Sequence, residues 1–590
     1  MTATGAPPGL FRAGPPRWDL PAPLDESRAD ALSEALSLPR TLCRVLVGRG
    51  HGEVEAAKEF LRPRVTHLPA PGTLLALDRA VGRLQEAIRS GETVLVHGDY
   101  DVDGVCAAAL LTRWLRRLGA RAEAFVPHRL RDGYDLGPGG LAAARRAGAT
   151  LLVTVDCGIV AHEAVARAAD AGIDVIVTDH HAPGDHLPPA LAVVNPNRVD
   201  DPSGRTYLCG AAVAFQLCRA LAADAGIPEE EVLLDLDLVA LATVADLVPL
   251  KTENRVLVRY GLRALASTTK PGLRALLEVC GMDGVPEAGR VGFTLAPRLN
   301  AVGRMEDAGD ALRLLLTEDP DEARRLARSA DEVNGRRQEE DRRTLTEAFR
   351  QLETGFDPAR DRGVVLAAEG WHPGVIGIVA SRVVERIHRP TVLVALDGAG
   401  GRGSARSVPG FHLHRALTRC SGHLRRFGGH AAAAGMDLDR SALEAFRDAF
   451  NRVAAEELEE EQLRPRIRVD LEVEPSALTL ELAERARYLG PHGIGNPRPV
   501  FLARGLEVTA GREVGRGHLK ARVRGGSATA EAIGFGLTER FPPADLEGRR
   551  VDAVFHLTVN EYRGIRTPQM KLLDLRFADQ GRADQGAEAG

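Results

Sequence analysis

Three aspartates at alternate positions, Asp99, Asp101 and Asp103, follow directly on an apolar stretch in TVLVHGDYDVDG, Thr93 to Gly104, with His97 just ahead of them. Carboxylates that leave one place in the chain together suit a divalent cation, because hard oxygen ligands gather around hard ions. An isolated D-x-D reads equally well as a turn or a helix cap. Here the pattern recurs. Leu151 to Val155 make a second apolar run ending in Asp156-Cys157-Gly158, and Val175 to Val177 make a third ending in Thr178-Asp179-His180-His181. A helical pattern from Glu231 to Thr243 then runs into Asp246 in VADLVPL. Aspartates plus histidine fit two divalent cations better than one zinc held by nitrogen and sulfur, so manganese or magnesium is the implied metal.

The elements that must position these groups are legible around them. Thr93 to Val96 are β-branched or apolar between Gly91 and Gly98, the pattern of a strand buried in a parallel sheet, and VCAAALLTRWLRRLG beyond Gly104 is an amphipathic helix. Ala122 to Val126 form the next strand, ending in Pro127-His128-Arg129; Arg129 leaves the same sheet edge as the carboxylates, which favours contact with a substrate phosphate over a bare surface role. With helical patterns over Asp78–Arg89, Ala211–Ala222 and Asn254–Ala266, residues 74–268 read as a doubly wound parallel α/β domain. Residues 1–73 form an accessory arm with Pro-rich loops and a helical pattern near Ala31–Leu38.

Residues 269–360 read as a helical connector. Within it, APRLNAVGRMEDA, residues 296–308, reads as a glycine-containing loop in which Arg298, Asn300 and Arg304 suit phosphate about as well as capping. A second α/β domain spans 361–456, where His372, Pro373 and Gly374 stand at the start of a helix whose free amides suit an anion or a simple cap. Residues 464–577 give short strands with turn residues, which fits an OB-type β-barrel, a frequent single-strand binder. Its basic residues include Arg498, Arg512, Arg516, Lys520, Arg522 and Arg524; aromatic stackers are scarce, so binding there is expected to lean on charge. The tail 578–590 lacks apolar content and is expected to be disordered.

Composition bounds the class. A chain of 590 residues, 44% hydrophobic, with short apolar runs and a Pro- and Gly-rich start unlike a secretion signal, is expected to be a multidomain soluble protein. A cytoplasmic location without a membrane partner is expected. Seven scattered cysteines without C-x-x-C spacing fit neither a disulfide framework nor a zinc knuckle. The net charge of −5 excludes a generally basic coat, so a polyanion must meet a local patch. One stands out: Gly401 to His430 carries six arginines and four histidines with no acidic residue, interleaved with glycines.

Taken in order, DYDVDG, VDCG, TDHH and VADLVPL resemble the four motifs of the DHH phosphoesterase superfamily, and FGGHAAAAG resembles the signature of its DHHA1 partner domain. With APRLNAVGRM, WHPGVIGIVASRV, GSARS and GPHGIGNPRPVF, the likeness is to the branch of single-strand-specific 5′ to 3′ DNA exonucleases acting in DNA repair and recombination, and it covers about Leu74 to Phe577. The resemblance implies that Asp99, Asp101, Asp103, Asp156, His180 and Asp246 ligate two cations, manganese first and magnesium second, with Asp156 bridging, and that His181 contacts the scissile phosphate. Asp156, His180 and His181 would be the catalytic set. It implies that Ser404 and Arg406, with Arg129, hold a 5′ phosphate, and that Arg298, Asn300, Arg304, His372 and His430 line the substrate. Single-stranded DNA is the implied substrate, supplied by a single-strand-binding protein and a helicase. The sequence departs from the family with Ala405 in GSARS and with APRLNAVGR, neither of which touches a ligand. His97 is left open, since related pyrophosphatases ligate through a histidine at that spacing.

Two rivals stand beside this reading. One is a DHH phosphodiesterase acting on short oligonucleotides or cyclic dinucleotides, which would need no barrel; the other is a non-catalytic single-strand binder, which an intact ligand set disfavours.

Overall fold

The computed structural model describes residue 11 and residues 13–129 and 131–578. They fall into two compact units, one made of Glu59–Arg337 with Leu489–Arg498, the other of the chain up to Lys58, Gln338–Tyr488 and the chain from Pro499.

The first unit is built on five parallel strands: β1 (Thr93–Gly98), β2 (Arg121–Phe125), β3 (Leu151–Val155), β4 (Asp174–Thr178) and β5 (Ala192–Val194), in the order β2-β1-β3-β4-β5. Chain order reverses between β1 and β3, so their carboxyl ends diverge into the crevice where open α/β sheets hold ligands. Alternate residues of each strand face opposite ways. Val94, Val96, Leu151 and Val153 join a core with Leu110, Val213 and Leu241, whereas Leu95, Leu152, Val175 and Val177 join another with Leu141, Ala144 and Val165. Burial on both faces is why these strands read as unbroken apolar runs. The register aligns Gly98 with Val155 and Val155 with Thr178. The residues that follow therefore leave one sheet edge at one level.

Three expectations need correction here. The first core does not stop at 268: Leu273, Leu276, Leu312, Leu315 and Leu326 belong to it, so the front of the predicted connector packs with the sheet. The pattern over Glu231–Thr243 is broken into a short helix Glu229–Val232, a 3₁₀ turn and the helix Leu236–Ala245. APRLNAVGRM is not a loop but the helix Ala296–Met305, entered through a π-helical turn Val291–Leu295. Pro297 sits in its first turn, where no amide donor is needed. Gly303 lies where a Cβ would come within 2.3 Å of the Tyr100 carbonyl, so this glycine serves close packing and not chain reversal. The helix Pro320–Gly355 follows.

The second unit holds a mixed sheet of β6 (Val364–Glu369), β7 (Thr391–Asp397), β8 (Gly400–Arg406), β9 (Arg426–Gly429) and β10 (Ala433–Asp439), in the order β9-β10-β8-β7-β6. Farther on, β11 (Phe501–Val514), β12 (His518–Gly525), β13 (Ala528–Gly534), β14 (Arg550–Tyr562) and β15 (Ile565–Phe577) run β11-β12-β13-β15-β14, and β14 pairs back onto β11 to close a five-stranded barrel. The arm adds a strand the sequence did not reveal: Arg17–Asp19 pairs in parallel with Arg466–Arg468, and Trp18 Nε1 donates to the buried Asp574 at 2.9 Å. The helix expected near Ala31–Leu38 spans Glu26–Leu36, capped by Asp25. The expected disorder of the tail concerns residues 579–590, outside the described residues, apart from Ala578.

Candidate metal centre

The loop after β1 is folded by its own carboxylates. Asp101 caps the helix Val102–Arg117 by accepting from the Asp103 and Gly104 amides at 3.0 and 3.2 Å. Gly104 permits the tight turn, since a Cβ there would stand 2.4 Å from the Asp99 nitrogen. Asp103 accepts from the Gly210 and Ala211 amides at 2.6 and 2.7 Å, at the positive N-terminus of the helix Gly210–Asp224. Asp156 follows β3 directly with φ of 63°, a left-handed conformation that costs a non-glycine residue energy. It lies against Gly210, where a Cβ would come within 2.4 Å of it.

Three sets of potential ligand atoms lie within 4.8 Å of one another: Asp99, Asp101 and Asp156; Asp103, His180 and Asp246; Asp156, His180 and His181. All six expected ligands are thus brought together, with Asp156 and His180 each shared between two sets. His180 Nε2 stands 3.1 Å from Asp156 Oδ1, 3.7 Å from Asp246 Oδ2 and 3.8 Å from Asp103 Oδ2. Although Asp156 Oδ1 and His180 Nε2 are close, they are not aligned as a hydrogen bond, and both are buried without a partner, as is Asp99 Oδ1. Burial, then mutual repulsion, raises the Asp99 and Asp156 carboxyls well above the usual range and carries Asp246 up to about 8. Burial lowers His180, which keeps its ring neutral and its lone pair available. Orphaned, mutually repelling oxygens facing a neutral imidazole are what divalent cations would satisfy, so the residues fit the implied group.

Asp179, to which the sequence alone assigns no role, organises the histidines. Its Oδ1 accepts from the His180 amide at 2.7 Å, the His181 amide at 3.0 Å and His181 Nδ1 at 2.8 Å, while Oδ2 accepts from the Ile159 amide at 3.0 Å. Against the burial that opposes it, this carboxylate raises the His181 pKa to about 9. Asn195 donates to the His181 carbonyl at 2.9 Å and Asn197 to that of His180, fixing the same turn from the end of β5. Nothing in the local sequence marks these partners, because only the sheet register brings them alongside. The Asp246 segment has its own brace in GPHGIGN: the Leu250 amide donates to the Ile494 carbonyl at 2.7 Å, and Arg255 donates to that of Gly490 at 2.7 Å.

The other expected site residues are placed as follows. Arg129 lies over the Tyr100 ring at 5.0 Å, where its charge counteracts the rise at Asp99. Arg298 is engaged, donating to Asp331 at 2.9 Å and to the Thr294 carbonyl at 2.5 Å. Asn300 accepts from the Val102 amide at 3.2 Å and so holds the aspartate loop, and Arg304 contributes positive charge near Tyr100. His97 belongs to no ligand set among the described residues: its ring is fully buried, and Nε2 lies within 2.6 Å of where a Cβ on Gly140 would be. In the second unit Arg406 donates to Ser404 Oγ at 3.1 Å, and both abut Gly377 in the first turn of the helix Ile376–Ile387, while His372 accepts from the Gly374 amide at 3.0 Å. His430 is exposed beyond β9. The barrel's charge is less available than expected. Arg524 pairs with Glu507 at 2.7 Å and Arg522 with Glu531 at 3.0 Å, and Arg498 belongs to the first unit, paired with Glu287 at 2.5 Å.

The family description "DHH family, N-terminal domain" matches residues 93–243, "DHHA1 domain" matches 361–456 and "RecJ OB domain" matches 469–574. The chain is 36% identical to the single-stranded-DNA-specific exonuclease RecJ of Bacillus subtilis, over 95% of this chain and 71% of that protein. It is 39% identical to the protein of the same name from Escherichia coli, over 90% of this chain and 95% of that one. The crystal structure of RecJ from Thermus thermophilus in complex with Mn²⁺ superposes with a TM-score of 0.82 at 34% identity, covering 95% of this chain and 79% of that one.

Proposed function

The chain belongs to the RecJ family, whose curated members bear the name of single-stranded-DNA-specific exonucleases, and on that premise we propose that it hydrolyses single-stranded DNA from the 5′ end, releasing 5′-mononucleotides in DNA repair and recombination. The observation that carries this reading is the convergence of Asp99, Asp101, Asp103, Asp156, His180 and Asp246 into overlapping sets at one sheet edge. Divalent cations held there, manganese in preference to magnesium, would supply Lewis acidity to the phosphodiester and acidify a water.

The chain's own residues do the rest. Asp103 is held by the amides at the start of the helix Gly210–Asp224 and Asp156 packs on Gly210, so these carboxylates would receive the cations without rearranging. His181, held cationic at neutral pH by Asp179, neutralises the scissile phosphate as charge builds on it. Arg129 and Arg304 add positive charge beside Tyr100. In the second unit Ser404, Arg406 and His372, at the start of a helix, hold the 5′ phosphate of the strand, and His430 contacts the strand beyond it. A single-strand-binding protein and a helicase supply such a strand in a cell.

The test is a nuclease assay on 5′-labelled single strand, 3′-labelled single strand and blunt duplex, with Mn²⁺, Mg²⁺ or chelator. Activity is expected on single strands alone, with 5′ label appearing at once as mononucleotide and 3′ label shortening gradually. Equal attack on the duplex, or cutting in chelator, would refute the proposal.

A further inference from the structure

The helical segment from Ala288 to Met305 touches two of the chain segments that carry ligands. At its end, Asn300 accepts from the Val102 amide at 3.2 Å, and Gly303 packs on the Tyr100 carbonyl of the aspartate loop. At its middle, the π-helical turn Val291–Leu295 brings Gly292 against Val244, where a Cβ would come within 3.2 Å of Cγ1, two residues before Asp246. Arg298 closes the turn by donating to the Thr294 carbonyl, with Asp331 holding the guanidinium. The residue displayed by this braced turn is Phe293, 71% exposed. Leu247, directly after Asp246 and with φ of 60°, is 66% exposed. Two large apolar side chains thus face solvent, Leu247 next to Asp246 in the chain and Phe293 on the turn that packs against Val244, and π-turns inside helices tend to occur at functional sites.

Accepting the single-strand hydrolysis proposed above, we infer that Phe293 is a platform on which an unpaired nucleobase of the substrate stacks, positioning the strand next to the ligand cluster. Aromatic rings take any base, because every base has a π-face, so the platform adds affinity without sequence preference. It also contributes to strand selectivity. A base inside a duplex is already paired and stacked, and exposing it to Phe293 carries an unstacking cost that a single strand does not have. Arg298 and Arg290 on the same segment are engaged with the Thr294 and Gly281 carbonyls, which leaves the ring as the group this turn offers to the substrate.

The experiment compares the protein with Phe293→Ala and Phe293→Trp on a 5′-phosphorylated oligodeoxynucleotide, intact or carrying one abasic nucleotide at successive positions. For the unaltered protein an abasic site at the stacked position should lower kcat/KM by about fivefold to about a hundredfold. Phe293→Ala should show that loss already on the intact strand and no further loss on the abasic one; Phe293→Trp should restore both the rate and the sensitivity. Affinity for the same strands in chelator, read by fluorescence anisotropy, separates platform from hydrolysis. A protein that binds with the expected Phe293 dependence yet never cuts supports the platform and refutes the nuclease reading. Equal affinity of Phe293→Ala and the unaltered protein, or an undiminished abasic penalty in that variant, overturns the platform.

Discussion

Replacing Gly210 with alanine is expected to disable the metal centre without replacing a ligand. The new Cβ would stand 2.4 Å from Asp156 Cβ and 2.5 Å from its Oδ1, where ordinary contact begins at 3.4 Å. Something must therefore move by about 1 Å, and a misplacement of that size at reacting groups costs about a hundredfold in rate. The helix cannot retreat freely, because the Gly210 amide donates to Asp103 Oδ2 at 2.6 Å; withdrawing it would release a second ligand. Overpacking should also lower stability by about 1–3 kcal/mol. Initial rates on a labelled single strand against Mn²⁺ concentration, with a melting curve, make the assay. Gly82→Ala is the control, in the helix Leu77–Ser90 with nothing within 4 Å, and it should leave activity unchanged while adding up to about 1 kcal/mol. An unchanged rate and an unchanged Mn²⁺ midpoint in Gly210→Ala would refute the reasoning.

Other outcomes follow from the same geometry. Asp156→Ala should abolish hydrolysis while strand binding, measured in chelator, persists; unchanged hydrolysis would remove Asp156 from the site. Without metal, carboxyls whose folded pKa is raised stabilise the fold below their unfolded value and lose that contribution as pH rises through the folded one. The metal-free melting temperature should then fall as pH climbs from 3.8 towards about 8, the range over which Asp246 is shifted, and the gain on adding Mn²⁺ should grow over the same span. A gain independent of pH would contradict this. Trp18→Phe removes the hydrogen bond to buried Asp574 and should destabilise the second unit by about 1–3 kcal/mol in denaturant melts, with cutting by the folded protein unaltered.

Much of the centre could be read before folding because each ligand group stands at the end of an apolar run. An aspartate directly after a β-branched strand has to emerge at the sheet edge, and repetition of that pattern at Asp99, Asp156 and Asp179 signals one shared crevice. What escaped depends on register and close packing. Asn195 and Asn197 meet the histidines only because β5 lies alongside β4, and Gly210 is required by an aspartate 54 positions earlier in the chain. The basic look of the barrel was misleading for the same reason: Arg522 lies directly opposite Glu531 across β12 and β13, and Glu507 opposite Arg524 across β11 and β12. Proline and glycine in APRLNAVGRM suggested a loop, yet proline is tolerated in a first helical turn, and this glycine answers to the Tyr100 carbonyl. The strand Arg17–Asp19, three residues whose partner lies at Arg466–Arg468, carries too short a pattern to be recognised alone.

The most direct test is to count and locate the cations in crystals grown with Mn²⁺, using anomalous scattering at the manganese edge. Two peaks are predicted, both within ligand distance of Asp156, one shared with Asp99 and Asp101 and the other with Asp103, His180 and Asp246. A single peak, or peaks away from the ends of β1, β3 and β4, would contradict the account.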